Sequence, residues 1–304
     1  MNYLLFNENG QVRSGWRAAI FLFAFFFLYV ASHDLLMYLI ERTGIDEIAA
    51  VSLPYFFSGI FFAAVALIIG WLCGWLFEGL RSFKTIGAGF STNWFRNFLL
   101  GSLFGVASLC IAVMIAFISG GEHFTFDTSS SVKEIILSSA VSFVVLAAGS
   151  AFEEALFRGY VLQTFARSDL AWLAIVLTSV FFGAVHLGNQ YASLFSTLNT
   201  VLAGIWFCLA YLKTRDLWFV WGMHLMWNWT QGSVFGIEVS GVTVFSQAPV
   251  LHEIDLGPDW LTGTAYGIEG GIACTFAIML SMAAIYFLPI STTENTKITE
   301  QNNK

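Results

Sequence analysis

The sequence predicts an all-α polytopic membrane protein, a transmembrane helical bundle of about eight spans with its catalytic core in spans four to seven. Three observations carry that prediction. Of 304 residues, 57% are hydrophobic and only 11% charged, against about 25% charged in soluble domains, and the mean hydropathy is +0.74. The apolar runs are long enough to cross a ~30 Å hydrocarbon layer as helices. They are continuous, whereas a barrel strand would alternate apolar and polar residues over about ten positions, so strands are not expected. This composition excludes a soluble enzyme and a disordered chain. The net charge of −7, from 13 basic and 20 acidic residues, offers no broad basic face for a phosphate backbone, so nucleic acid is not an expected partner.

The first run, Trp16 to Ile40, is too long for a signal-peptide core and is read as a retained span. Further spans are expected from Ser52 to Phe77, Asn97 to Ser119, Lys133 to Ala166, Ala171 to Gly188, Tyr191 to Leu212, Leu217 to Gly236 and Thr264 to Ile290, each an apolar run of membrane-crossing length. Gly70/Gly74 and Gly101/Gly105 have the small-xxx-small spacing that lets helices approach closely. The four cysteines, Cys73, Cys110, Cys208 and Cys274, stand singly in apolar surroundings. Without Cys-x-x-Cys spacing they indicate neither a disulfide framework nor a cysteine metal site.

An even number of spans leaves both termini on one side, and the Lys/Arg distribution names it. Ten basic residues fall on the proposed inner side: Arg13, Arg17, Arg81, Lys84, Arg96, Arg167, Lys213, Arg215, Lys297 and Lys304. Two, Arg42 and Lys133, fall outside, and Arg158 lies within a span. The chain is therefore expected in the cell (plasma) membrane as a multi-pass protein with cytoplasmic termini. It divides into helices one to three (1–132), a core of spans four to seven (133–236), an outer loop with the final span (237–290), and a polar tail (291–304) expected to be disordered.

Ionisable groups within a span are costly unless paired or hydrated, which makes them functional candidates. They concentrate in span four, where Glu153-Glu154-x-x-x-Arg158 interrupts apolar sequence. Glu154 and Arg158 are four residues apart and share a face, so they form a structural ion pair. Glu153, turned about 100° away, is left to face a cavity. Span five carries Phe182-x-x-x-His186. In an antiparallel hairpin turning near Asp169, Glu153 and His186 are nearly equidistant from the turn and so lie at similar depth. Span seven adds His224-x-x-x-Asn228, again an i,i+4 pair on one face. A carboxylate base with a histidine beside it and a facing His/Asn pair is the minimum set for hydrolysing a peptide bond. Glu153 would take a proton from water oriented by His186, while His224 and Asn228 steady the oxyanion. Two other readings are a proton- or ion-coupled transporter, in which Glu153, His186 and His224 relay protons, and a non-catalytic bacteriocin-immunity protein on the same fold.

Together the three motifs, in this order, resemble the CPBP family of CAAX prenyl proteases and bacteriocin-processing enzymes over roughly Ile135 to Phe235. The resemblance implies an intramembrane endopeptidase acting on a membrane-associated peptide or protein within the bilayer. It makes Glu153 the catalytic glutamate, His186 its water-positioning partner, and His224 and Asn228 oxyanion or metal-site residues. It leaves the metal open: Glu153, His186, His224 and Asn228 could ligate Zn²⁺, although Asn is an unusual zinc ligand. Water activation by Glu153 is the favoured reading. Substrate identity, including whether it is prenylated, is not legible.

Several features are decoys. His252-Glu253-Ile-Asp-Leu256 lacks the second histidine of the zinc-protease helix and reads as loop. Asn228-Trp-Thr230 matches a glycosylation sequon but lies within a span. His33 and Asp34 read as an interfacial polar pair, and Trp16, Trp172, Tyr191 and Trp218 as an aromatic belt.

Overall fold

The computed structural model describes residues 2–8, 10–42, 47–245, 247–287 and 289; the expected disordered tail, 291–304, lies outside the described residues. Eight long helices follow the expected spans in order: α1 (Ser14–Glu41), α2 (Glu47–Glu78), α3 (Trp94–Ile118), α4 (Val132–Glu154), α5 (Ala171–Val185), α6 (Leu194–Thr214), α7 (Leu217–Trp229) and α8 (Ile272–Phe287). Helix α4 runs on through a π-helical segment, Ala155–Val161, and a last turn, Leu162–Ala166. Among the described residues six segments, built on α1 to α6 with α5 extended to Gly188, are long and apolar enough to cross a membrane. Helices α7 and α8 are shorter than the ~20 residues a span needs, α7 being continued by a π-helical turn, Thr230–Val234. The chain is a multi-pass helical membrane protein.

Local chemistry sets the helix ends. Ser131 caps α4 reciprocally with Glu134, and Ser193 caps α6 with Ser196, each pair satisfying amides that the first turn leaves open. Between α4 and α5 the chain turns at Asp169, and between α6 and α7 at Arg215, both left-handed. Asp216 then opens α7 by accepting from the Trp218 amide at 2.8 Å.

The predicted glycine spacing is used most fully between α3 and α7. A methyl group on Gly101 or Gly105 would run into the backbone of Phe219 or Met223, and one on Gly222 into the Phe98 carbonyl. The two backbones therefore touch, and α7 is drawn into the bundle. Gly70 and Gly74 face Tyr160 of the π-helical segment, so both predicted pairs lie at helix contacts.

The structure corrects the sequence reading in three places outside the site. The last span begins at Ile272 rather than Thr264. Short 3-10 turns occupy Thr264–Tyr266 and Ile268–Gly270, because Gly263 and Gly267 adopt left-handed φ of 88° and 86°, which helix propagation does not allow. Strands do occur: Glu122–Phe126 (β1) and Leu251–Asp255 (β2) pair antiparallel with Glu122 opposite Asp255 and Phe126 opposite Leu251. His252 and Glu253 thus lie in a strand and not a loop, and the pair ties the α3–α4 connection to the long α7–α8 connection at one end of the bundle. Trp218 is half-buried. Its indole donates to the Gly89 carbonyl at 3.1 Å and packs on Phe90 and Trp94. Trp16, Trp172 and Tyr191 are exposed, as a belt requires.

At the opposite end from the strands, Glu78 at the foot of α2 accepts from Arg17 at 2.9 Å and Arg167 at 2.7 Å. This ties α1, α2 and α4 together. The four cysteines are free, and His33 and Asp34 form an exposed pair at 3.3 Å.

Candidate active site

Glu153, His186, His224 and Asn228 line one cavity of about 230 Å³ among α4, α5, α6 and α7. That volume holds several water molecules. The walls are aromatic, with Phe182, Trp206, Phe207 and Trp227, so the polar groups converge in an apolar enclosure.

Glu154 and Arg158 form the predicted pair at 3.1 Å, both essentially unexposed. Arg158 also donates to the Gly204 carbonyl at 3.1 Å and lies over the rings of Phe182 and Phe207, 4.7 and 5.0 Å from their centroids. The π-helical winding begins directly after Glu154. Such interruptions of the regular hydrogen-bond ladder recur at functional sites.

His224 is held more firmly than its sequence suggested. Its Nδ1 lies 2.8 Å from Glu154 Oε1 and its ring stacks on Phe207 at 4.7 Å. A carboxylate in contact with a guanidinium accepts, so Nδ1 carries the proton and donates it. The opposite edge of the ring, Nε2, then points at Glu153 Oε2, 3.8 Å away. Glu154, expected to serve only as the arginine's partner, is thus also the group that orients His224.

His186 ends α5, and its Nδ1 is 2.7 Å from the Phe182 carbonyl. Because a carbonyl can only accept, Nδ1 is the protonated nitrogen in the neutral ring. Nε2 keeps its lone pair for the cavity. The ring of Phe182 lies 4.6 Å from His186 and 6.2 Å from His224, with Arg158 over it. The sequon at Asn228 is cavity lining, and Thr230 is buried.

Sequence reasoning passed over three polar contributors. Ser150, one turn before Glu153, lines the same cavity. Glu269 reaches it from the α7–α8 connection, with its carboxylate accepting from Trp227 Nε1 at 3.1 Å and from the amide and hydroxyl of Ser240 at 2.8 and 2.6 Å. Asn199 of α6 donates to the carbonyls of Glu269 and Gly271, both at 2.8 Å. It ties the cavity's cap to the bundle. An amide inside an apolar span is itself a signal for Asn199, and so is a carboxylate at Glu269, which the sequence reading placed within the last span and passed over.

Among the described residues no group of three or more His, Cys, Asp or Glu side chains is placed to hold a metal ion. One nitrogen of each imidazole is engaged, by Phe182 in His186 and by Glu154 in His224, which leaves the other nitrogen of each ring to the cavity.

Fold and site define a helical membrane protein whose bundle encloses a carboxylate, two imidazoles and an amide around one cavity. Residues 134–230 match the family model described as type II CAAX prenyl endopeptidase Rce1-like, a stretch that contains all seven motif residues. The match covers roughly a third of the chain and, at family level, indicates a CAAX-type intramembrane protease, a hydrolase. A search of curated proteins gives no match.

Proposed function

We propose that the protein is an intramembrane endopeptidase that cleaves a peptide bond in a membrane-associated or membrane-embedded peptide or protein, with Glu153 as general base. The observation that carries this reading is the convergence of Glu153, His186, His224 and Asn228 on one cavity. Glu153 takes a proton from water while His186 Nε2 accepts a hydrogen bond from the same molecule and aims it. The resulting hydroxide adds to the scissile carbonyl carbon, and the negative charge moves to its oxygen. Asn228 and a protonated His224 Nε2 donate to that oxygen, interactions that strengthen as charge develops. Collapse of the tetrahedral intermediate breaks the C–N bond, and the proton held by Glu153 passes to the departing amine. Glu154 positions His224 throughout. This sequence needs no metal.

The orientation proposed is cytoplasmic for both termini. Its support is that Arg17, Arg167 and Lys213 lie at the end of the bundle opposite the strand pair, as the positive-inside rule requires of an inner face. The test of the function is cleavage of a membrane-peptide library by the purified protein, comparing wild type with Glu153→Gln and His186→Ala, each with and without chelator. Loss in both variants with no chelator effect supports the reading. Wild-type cleavage by Glu153→Gln, or ion uptake lost without any cleavage activity, refutes it.

A further inference from the structure

A second, larger cavity of about 750 Å³ lies outside the candidate active site, between α2, α4 and α7 beneath the α2–α3 connection. Its size is within the ~300–1,000 Å³ of small-molecule sites. Helix α2 supplies Ala63 and Leu67, α4 supplies Ala151 and Ala155, and α7 supplies Trp218 and Trp221. The cavity starts at the connection and follows α2 to Ala63, about four turns from its end at Glu78, or roughly 22 Å at ~1.5 Å per residue. That depth is about one and a half times the ~15 Å leaflet of a ~30 Å hydrocarbon core, room for a long acyl chain. Arg81 and Lys84 form part of the lining on the connection and are solvent-exposed. The deep polar group is Glu154, whose Oε1 is paired with Arg158 and His224 and whose Oε2 is buried without a hydrogen-bond partner.

We propose that this cavity binds an anionic phospholipid, with one acyl chain along α2 and the phosphate between Arg81 and Lys84. Two features select that occupant. The walls offer almost no polar partners, so a peptide backbone placed there would keep unsatisfied N–H and C=O groups, whereas an acyl chain has none. The cationic mouth lies where a chain of that length would present its headgroup, and it complements a phosphate. The inference holds whether or not the neighbouring site is proteolytic.

The experiment uses the full chain in nanodiscs doped with a photoreactive diazirine-acyl phosphatidylglycerol or the phosphatidylcholine with the same chains, with crosslinks mapped by mass spectrometry. Labelling around Ala63, Leu67 and Trp221 is expected from phosphatidylglycerol, at least about tenfold above phosphatidylcholine. It should fall by a similar factor in Arg81→Gln/Lys84→Gln. Ala63→Phe, which fills the cavity without touching the rim charges, should abolish it, and circular dichroism checks that each variant keeps its helices. Equal labelling by the two lipids, labelling indifferent to the rim charges, or displacement by an uncharged isoprenoid but not by unlabelled phosphatidylglycerol would overturn the assignment.

Discussion

Removing the Glu154 carboxylate should separate two roles that one side chain combines. In Glu154→Met, Arg158 remains fully buried with the Gly204 carbonyl and the faces of Phe157, Phe182 and Phe207 around it and no carboxylate. Stranding one member of a buried ion pair costs about 3–5 kcal/mol, so the melting temperature of the purified protein should drop clearly. The same change removes the acceptor 2.8 Å from His224 Nδ1, freeing the ring's tautomer and orientation. Loss of an orienting carboxylate, or of the proton transfer it supports, costs about 10²–10⁴ in rate. The double variant Glu154→Met/Arg158→Met separates the two effects. Replacing both members of a buried pair by apolar groups of similar size is close to neutral, so the double variant should recover the melting temperature while activity stays low. Thermal melts in detergent and single-turnover cleavage of the best library peptide supply the two readouts, and the pH–rate profile adds a third that a merely structural role would not move. If the double variant regains both stability and activity, Glu154 is only the arginine's counterion and the positioning argument fails.

Further expectations concern the cavity, the helix contact and the strand pair. Asn228→Ala should reduce kcat about 10²-fold while the fold persists, as loss of one oxyanion donor does; a change confined to KM would contradict its role. Gly101→Leu should lower the melting temperature, because the side chain must part α3 from α7 at Phe219 and overpacking costs about 1–3 kcal/mol or more; an unchanged melt would contradict the contact. The strand pair should loosen in alkali. Burial, and then the charges of Glu253 and Asp255, push the Glu122 carboxyl up to about 9, while burial and the charges of Glu238 and Asp255 push Glu253 up to about 8, both from an ordinary 4.5. Protons held by the folded form and released by the unfolded chain stabilise fully below about 4.5. That contribution is lost as pH rises through 8 to 9, by up to about 1.4 kcal/mol per pH unit for each proton. Hydrogen exchange of 122–126 and 251–255 should therefore show weaker protection at pH 9 than at pH 6 after correction for intrinsic rates, and Glu122→Gln should flatten the difference. Protection that rises with pH would reverse the sign and refute it.

The helices were legible because membrane-spanning segments announce themselves by continuous apolar length, and because charges and capping residues mark their ends. Ala171 to Gly188 agrees to the residue once the 3-10 turn at His186–Gly188 is included. The Glu154–Arg158 pair was legible for the same reason the helix was, since i,i+4 spacing fixes a shared face. The hairpin count from Asp169 anticipated that Glu153 and His186 would meet at one depth, and they line one cavity. Helical spacing does not reveal contacts between distant helices. His224 lies seventy residues from the carboxylate that orients it, and Glu269 reaches the cavity from a loop. The strand pair was missed because β1 and β2 are five residues each and lie outside the apolar pattern that guided the reading. Their partners are more than 120 residues apart in the chain, as with Glu122 and Asp255.

The most direct test of a Glu153-driven attack by water is single-turnover cleavage in H₂¹⁸O by the reconstituted protein, with wild type and Glu153→Gln compared by mass spectrometry of products and enzyme. The expected result for wild type is one ¹⁸O in the newly formed carboxyl end and no substrate mass attached to the protein at any time, with cleavage lost in Glu153→Gln. A covalent peptide adduct on the wild-type chain, or the same labelled product made at the wild-type rate by Glu153→Gln, would contradict it.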